Sequence, residues 1–181
     1  MADIDEGAVR DLLAREQIRQ LPVRYASALD ARDIDAMADL FAAQARFGDH
    51  GVGPDGARSL MADSMRDSVF AVILVANHLI EMDDETTAHG QVWAHCHAQS
   101  AEGFVEQLIR YDDRYVLEGG RWLFLHRRHR LWFGVAHDVS PLDQAPAEWP
   151  ARQTGVGDLP LADPLFAGWW EDRRRERPSP H

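Results

Sequence analysis

The stretch RYASALDARDIDAMADLFAAQARFGDHG sets one carboxylate, Asp30, at the end of an apolar run with helical spacing and a second, Asp49, in the strand-like ARFGDHG that follows. A carboxylate at the tip of an apolar face is costly to bury unless it is paired or hydrogen-bonded, so Asp30 demands a partner. Further along, LHRRHRLW places Arg127 and His129 two residues apart, a spacing that puts both on one face of a strand. An imidazole titrates near working pH and is tuned by a neighbouring carboxylate such as Asp30 or Asp49. His129 is therefore a candidate general base or acid, with a core histidine bonded to a neighbouring strand as the alternative. Arg127 either binds a substrate carboxylate, phenolate or developing oxyanion, or forms a structural salt bridge to Asp30 or Asp113. Asp49 shares its face with Phe47. Close to Asp30 it would raise one of the two pKa values by repulsion and separate an acid from an ionised partner; at a frayed strand end beside HGVG it would be hydrated.

The elements that must position these groups follow from periodicity. Val9, Leu12, Leu13, Leu21, Tyr25, Ala28 and Leu29 recur at three and four residues, which predicts one long amphipathic helix over roughly 7–30. Asp33 in the turn DARD is an N-cap for a short helix carrying Ile34, Met37, Leu40 and Phe41, and GPDGARSLMADSMRD forms a third helix. Four long β-branched and aromatic segments then alternate with the turns DDET, SAEG and GG. With ARFGDHGV they make about five strands. Helices first and an antiparallel meander afterwards is an α+β pattern. After Gly134 the chain turns Pro-rich and aperiodic. It is read as an extended tail, 134–181, with Trp149, Trp169 and Trp170 as packing anchors and EDRRRERPSPH as a frayed end.

Composition narrows the function. Nineteen Lys and Arg against 30 Asp and Glu give a formal charge of −11, which repels phosphate backbones and anionic membranes, so neither nucleic acid nor membrane is an expected partner. There is no run of 18 apolar residues, and the acidic start MADIDEGAVRDLL is unlike a secretory leader, so a cytoplasmic protein is expected. The single cysteine, Cys96, agrees with a reducing compartment and reads as a small apolar group. No phosphate-cradling glycine loop or serine-nucleophile elbow is present.

The order RYASALD, DIDAMADLFA, ARFGDHG, NHLIEMDDETTAHGQVW and RYDDRYVLEGGRWLFLHRRHRLW resembles the SnoaL-like branch of the nuclear transport factor 2-like superfamily across about residues 8–133. The resemblance implies a domain over 1–133 in which a cone-shaped, curved antiparallel sheet wraps around three N-terminal helices and encloses an apolar pocket. Relatives include scytalone dehydratase, ketosteroid isomerase, polyketide cyclases, a bile-acid dehydratase and hexachlorocyclohexane dehydrochlorinase, which mostly move protons without metal or cofactor. In the dehydratase and dehydrochlorinase branches the acid matching Asp30 orients a histidine four residues before an asparagine. Here that asparagine is Asn77, and Ile73 stands where the histidine would be.

Carried over by the same likeness and by strand parity, Ile73, Val75, Asn77 and Leu79 face the pocket with Phe47 and Asp49, Ala94 and Cys96, Gln107, Ile109, Tyr111 and Asp113, and Arg127, His129 and Leu131. His78 then faces outward unless a bulge intervenes, and is the weaker substitute base. Tyr111 can donate to a carbonyl or hydroxyl. Tyr25 matches the pocket tyrosine of the bile-acid dehydratase, although five residues place it about 140° round a helix from Asp30, so it either lines the site or is core. His95 and His97 in HCH share the outer face with Trp93; that spacing can chelate, but a dimer surface or solvent-exposed cluster is the expected reading and no metal is expected. His126 and His129, three apart, fall on opposite faces.

These residues together point to a cofactor-independent lyase, dehydratase or isomerase acting by acid–base catalysis on a hydrophobic cyclic or aromatic small molecule: a polyketide, steroid, terpenoid or lignin-type aromatic. Asp30 would orient His129, His129 would move the proton, and Arg127 or Tyr111 would stabilise oxygen charge. Asp49 is the further candidate acid, and Phe47, Asn77, Gln107, Tyr25 and His78 the candidate substrate contacts. The alternatives are a binding protein that kept the pocket without chemistry, and an accessory small subunit of a ring-hydroxylating dioxygenase. Pairing of sheet outer faces, common in this superfamily, implies a homodimer or homotrimer.

Overall fold

Asp5 opens the first helix, its Oδ1 accepting from the backbone N–H groups of Gly7 and Ala8 at 2.9 and 3.3 Å. In the structure, a computed structural model describing residues 5–100, 103–159 and 162–176, this helix α1 spans Glu6–Asp30. Ile18, Leu21, Ala26 and Ala28 are buried, whereas Val9, Leu12 and Leu13, expected on the apolar face, are exposed. At that end of α1, Arg10 Nη1 lies 3.5 Å from Glu85 Oε1. Arg32 turns the chain with φ 61°, and Asp33 caps α2 (Ile34–Ala38), accepting from Ala36 N–H at 2.9 Å. The third helix, α3, spans Gly53–Met65.

Four strands follow: β1 (Ser68–Met82), β2 (Thr87–Ser100), β3 (Gly103–Glu118) and β4 (Arg121–His137). They form one antiparallel sheet in the order β1-β2-β3-β4. Gly119 and Gly120, with φ 58° and 80°, make the two-residue turn joining β3 to β4, where a positive φ is required at both positions. The architecture is the expected α+β, with α1 packed on the sheet. Ile18, Met37, Phe41, Tyr115 and Phe124 centre one core between helices and sheet; Ile73, Val92, Ile109 and Tyr111 centre a second under α1.

Three expectations are corrected. ARFGDHGV is no strand: Arg46 and Val52 form a single bridge around a 3₁₀ turn at Gly48–His50, and positive φ at Gly48 and Gly51 breaks extended geometry. Asp49 rides that turn in solvent. In β1, Val75 opposes Ala94 while His78 opposes Val92, a bulge of one extra residue. The bulge reverses parity, so Asn77 and Leu79 point out to solvent and His78 and Ile80 turn inward. The third correction concerns the tail, which contains a helix, α4 (Pro164–Glu176). Asp163 Oδ1 accepts from the N–H groups of Leu165 and Phe166, and Phe166 is buried against Val69, Phe70 and Phe104. Trp149 anchors nothing, being exposed, and residues 177–181 of the expected frayed end lie outside the described residues.

β1 and β2 approach closely at Gly90, where an added Cβ would sit 2.2 Å from the Leu79 carbonyl oxygen, a backbone atom that cannot swing aside. Gly90→Ala is expected to destabilise the fold by about 1–3 kcal/mol, the usual cost of overpacking, read as a lowered urea midpoint with unchanged slope.

Candidate active site

Between the helices and the concave sheet face lies a cavity of about 600 Å³. Leu29, Phe41, Phe47, Met61 and Val105 give it apolar walls, and Tyr25, Tyr111, Arg127 and His129 converge on it with polar atoms. A cavity of this size with few convergent polar groups suits one small molecule.

β3 and β4 place the most buried charges of the site opposite one another, with Asp113 and Arg127 as register partners. Arg127 donates from Nε to Asp113 Oδ1 and from Nη2 to Oδ2, both at 3.0 Å. The Arg127 side chain is 5% exposed and that of Asp113 0%. Burial opposes the guanidinium charge, but the Asp113 charge and hydrogen bonds outweigh it and raise the Arg127 pKa. Three rings surround the cation: its Cζ lies 3.9 Å from the Tyr111 centroid, 4.3 Å from Phe124 and 4.7 Å from Tyr25. Of the two roles open to Arg127, the structure shows the salt bridge to Asp113. Asp113 occupies its Nε–Nη2 edge, which holds the charge fixed beside the cavity.

Behind this pair, Tyr115 Oη donates to Asp113 Oδ2 at 3.1 Å and lies 3.0 Å from His78 Nε2. The Tyr115 proton being spent on Asp113, His78 donates from Nε2, which assigns the Nε2–H tautomer. Desolvation, with smaller contributions from Arg19 and Arg127, pushes His78 down to about 4, so the ring is neutral near pH 7. His78 therefore supports the wall from behind and is corrected as a substrate contact, since it does not line the cavity.

His129 stands at the cavity wall, its ring centroid 5.5 Å from that of Tyr111. Desolvation first, and then the Arg127 charge, lower its pKa, which favours the neutral form a general base requires. Among the described residues, neither the His129 ring nor Tyr111 Oη has a hydrogen-bond partner, and Tyr25 Oη has only Met61 Sδ at 3.8 Å. Burial raises the pKa of both tyrosines, so both remain protonated donors.

Asp30 is not joined to His129 by a hydrogen bond or ion pair, which corrects the expected dyad. Its Oδ1 accepts from the backbone N–H of Ile73 at 3.4 Å, at the end of α1. Desolvation raises Asp30 to about 6, opposed by the Ile73 hydrogen bond and the Arg32 charge. Burial and then the Asp30 charge push the Cys96 thiol up to about 11, which removes it as a nucleophile at neutral pH. Phe47 and Tyr25 line the cavity. Gln107 sits on the inner face but outside the lining, and Asp49, Asn77 and Leu131 do not reach it. A residue the periodicity did not signal is Arg32, buried in the cavity wall, with Nη2 donating to Ser68 Oγ at 3.0 Å and its guanidinium 4.5 Å from the Trp169 ring of α4.

A family model described as the SnoaL-like domain matches residues 10–128. Among solved structures, a hexachlorocyclohexane dehydrochlorinase, LinA-type3 from Novosphingobium barchaimii LL02, is 18% identical with a TM-score of 0.67, covering 74% of this chain and 96% of its own. A candidate scytalone dehydratase from Novosphingobium aromaticivorans DSM 12444 is 18% identical, TM-score 0.62, over 74% of this chain and 93% of its own. A single-substitution variant of a protein of unknown function from Mycobacterium tuberculosis is 18% identical, TM-score 0.59, over 93% of both chains. No curated protein matches the sequence significantly. At such identities the likeness establishes the fold, and the chemistry must be argued from the site.

The buried charges have two measurable consequences. Asp113→Ala leaves the Arg127 charge buried and unpaired and is expected to cost about 3–5 kcal/mol in chemical denaturation, much of it recovered when Arg127→Met is added. For Asp30, the folded pKa of about 6 lies above the ordinary 3.8, so the folded state holds this proton more tightly than the unfolded one. Its stabilising contribution is complete at pH values below 3.8 and is lost as pH rises through about 6. Asp30→Asn should therefore raise Tm relative to wild type increasingly across that window and hold a constant advantage above it, in thermal melts over a pH series.

Proposed function

The chain belongs to the SnoaL-like domain family, and on that premise we propose that it is a cofactor-independent lyase or isomerase that moves a proton on a hydrophobic cyclic or aromatic small molecule. The observation that carries this reading is the pairing of an unengaged, neutral imidazole, His129, with the unengaged hydroxyl of Tyr111 on one wall of an apolar cavity. A buried hydroxyl normally finds a partner, so Tyr111, left open toward the cavity, marks where a ligand supplies one, and His129, exposed to solvent on the same lining, is accessible beside it. In this reading His129 removes a proton from a carbon beside an oxygen or leaving group. Tyr111, and Tyr25 near it, donate to the oxygen on which charge develops. The Arg127 charge behind the Tyr111 ring favours that anion. The dehydratase and dehydrochlorinase neighbours are named for eliminations, a chemistry that includes loss of a proton from carbon.

A second reading rests on Ile73. It holds the strand position beside Asp30 where the dehydratase pattern sets its base, and an isoleucine cannot titrate. That favours a binding protein of the same fold without turnover.

A thermal-shift screen against steroids, polyketide-like phenols, lignin-type aromatic dimers and terpenoids separates the two, because ligand bound only to the native state raises Tm by mass action. Turnover of a hit is expected to be abolished in His129→Ala with binding retained. In Tyr111→Phe, kcat should fall by about 10²–10³, as for loss of one oxyanion donor. Binding without turnover in the wild-type protein would establish the binding reading instead.

A further inference from the structure

The face of the sheet away from the cavity carries a second cluster of titratable groups, which the proton-transfer chemistry does not use. His95 and His97 alternate along β2 with the inward Ala94 and Cys96, so both imidazoles project from the outer face, their centroids 4.6 Å apart. The register sets Glu106 of β3 directly opposite His97. Glu106 Oε1 lies 3.9 Å from His95 Nε2 and 3.7 Å from His97 Nδ1. On the next strand, Val135 is the partner of Glu106, and His137, two residues on, places Nε2 2.8 Å from the other carboxylate oxygen, Oε2.

We propose that His95, His97 and Glu106 form a binding site for a divalent transition-metal ion, with Zn(II) the best-matched occupant and His137 holding the Glu106 carboxylate in place. One donor atom from each of the three lies within 4.8 Å of the other two. A tetrahedral zinc ion with ligands at about 2.0–2.2 Å has donor–donor edges of roughly 3.4 Å. Closing the two His–Glu106 spacings to that value takes roughly 0.3–0.5 Å, and closing the widest spacing within the cluster takes at most about 1.4 Å, shared between two rotatable side chains. Two imidazoles and a carboxylate suit zinc and its neighbours, whereas magnesium and calcium favour all-oxygen shells and Cu(I) favours sulfur. The three side chains are between a third and a half exposed, which leaves a coordination position for water or a further ligand. The His137–Glu106 hydrogen bond is the kind of outer contact that fixes a ligating carboxylate. The packing of His97 and His137 against the Phe104 ring, at centroid distances of 6.0 and 5.1 Å, restrains both imidazoles. Because the groups come from β2, β3 and β4, only the folded sheet assembles them, so the ion must stabilise the fold.

The test is calorimetric titration of tag-free, chelator-stripped protein with ZnCl₂, with thermal melts in parallel and Co(II) substituted to report geometry. One ion per chain, a rise in Tm reversed by chelator, and visible d–d absorption from tetrahedral Co(II) are expected. His97→Ala and Glu106→Gln should lose binding. His137→Ala should weaken it by about 10–100-fold, the usual effect of removing an outer-shell partner. His50→Ala, in the 3₁₀ turn and beside Ser59 rather than in the cluster, should change nothing. Absence of saturable binding to the wild-type protein would overturn the proposal, as would binding that survives both His97→Ala and Glu106→Gln. The Co(II) spectrum of the wild-type chain keeps the test decisive even if one variant fails to fold.

Discussion

The structure turns on an ion pair with no access to water. A carboxylate 0% exposed and a guanidinium side chain 5% exposed can persist only together, since each alone would carry a desolvation cost of several kcal/mol. The two-pronged contact between Asp113 and Arg127 uses the Nε–Nη2 edge of the planar guanidinium, and the rings of Tyr25, Tyr111 and Phe124 lie against it. The pair lies across the β3–β4 register, and Tyr25 belongs to α1. One interaction therefore ties the helix to two strands and fixes the cavity wall. A one-residue slip of that register would put the charges on opposite faces, which makes the pair a register lock as well as a contact.

The site inherits its electrostatics from this lock. The Arg127 charge lies beside the ring of Tyr111 and, with desolvation, holds His129 in its neutral form. On the other side of the pair, Tyr115 and His78 complete a chain that satisfies Asp113 and keeps His78 uncharged. That chain depends on the β1 bulge, because without the extra residue His78 would face solvent and Asn77 the interior. Asp30 stands apart from these groups. Its high pKa comes from burial at the end of α1 beside Ile73, so its ionisation is coupled to the fold and not to His129.

The two faces of the sheet divide the work. Inward residues of β2, among them Val92, Ala94 and Cys96, are small or apolar and give α1 a surface to pack on. Outward residues of the same strand are imidazoles and Trp93, whose ring meets Trp132 of β4 at 5.5 Å. Strand alternation thus sets an apolar packing surface and a cluster of imidazoles on opposite faces of one element, the separation that would let the proposed metal site stand apart from the cavity.

Much of this was legible in the sequence by itself. Helical spacing located three helices, Asp33 announced its cap, and the Gly-Gly and DDET turns marked the hairpins, because these features depend on local backbone and side-chain preferences. Tyr111, Arg127 and His129 were reached by family likeness and strand parity, Phe47 by the same route on a segment that is a turn, and Tyr25 by likeness against its helical phase, and all five line the cavity. Asn77, Leu79, Asp49 and His78 were misplaced where counting fails: a one-residue bulge reverses parity, and glycines with positive φ turn an apparent strand into a loop. Arg32 carried no signal at all, since its burial depends on Trp169 arriving from more than a hundred residues away. The sequence determined which elements form and which residue types they carry, because those are short-range properties. Which charge pairs with which, and therefore which imidazole is free to act, was decided only when strands distant in sequence met in register and excluded water.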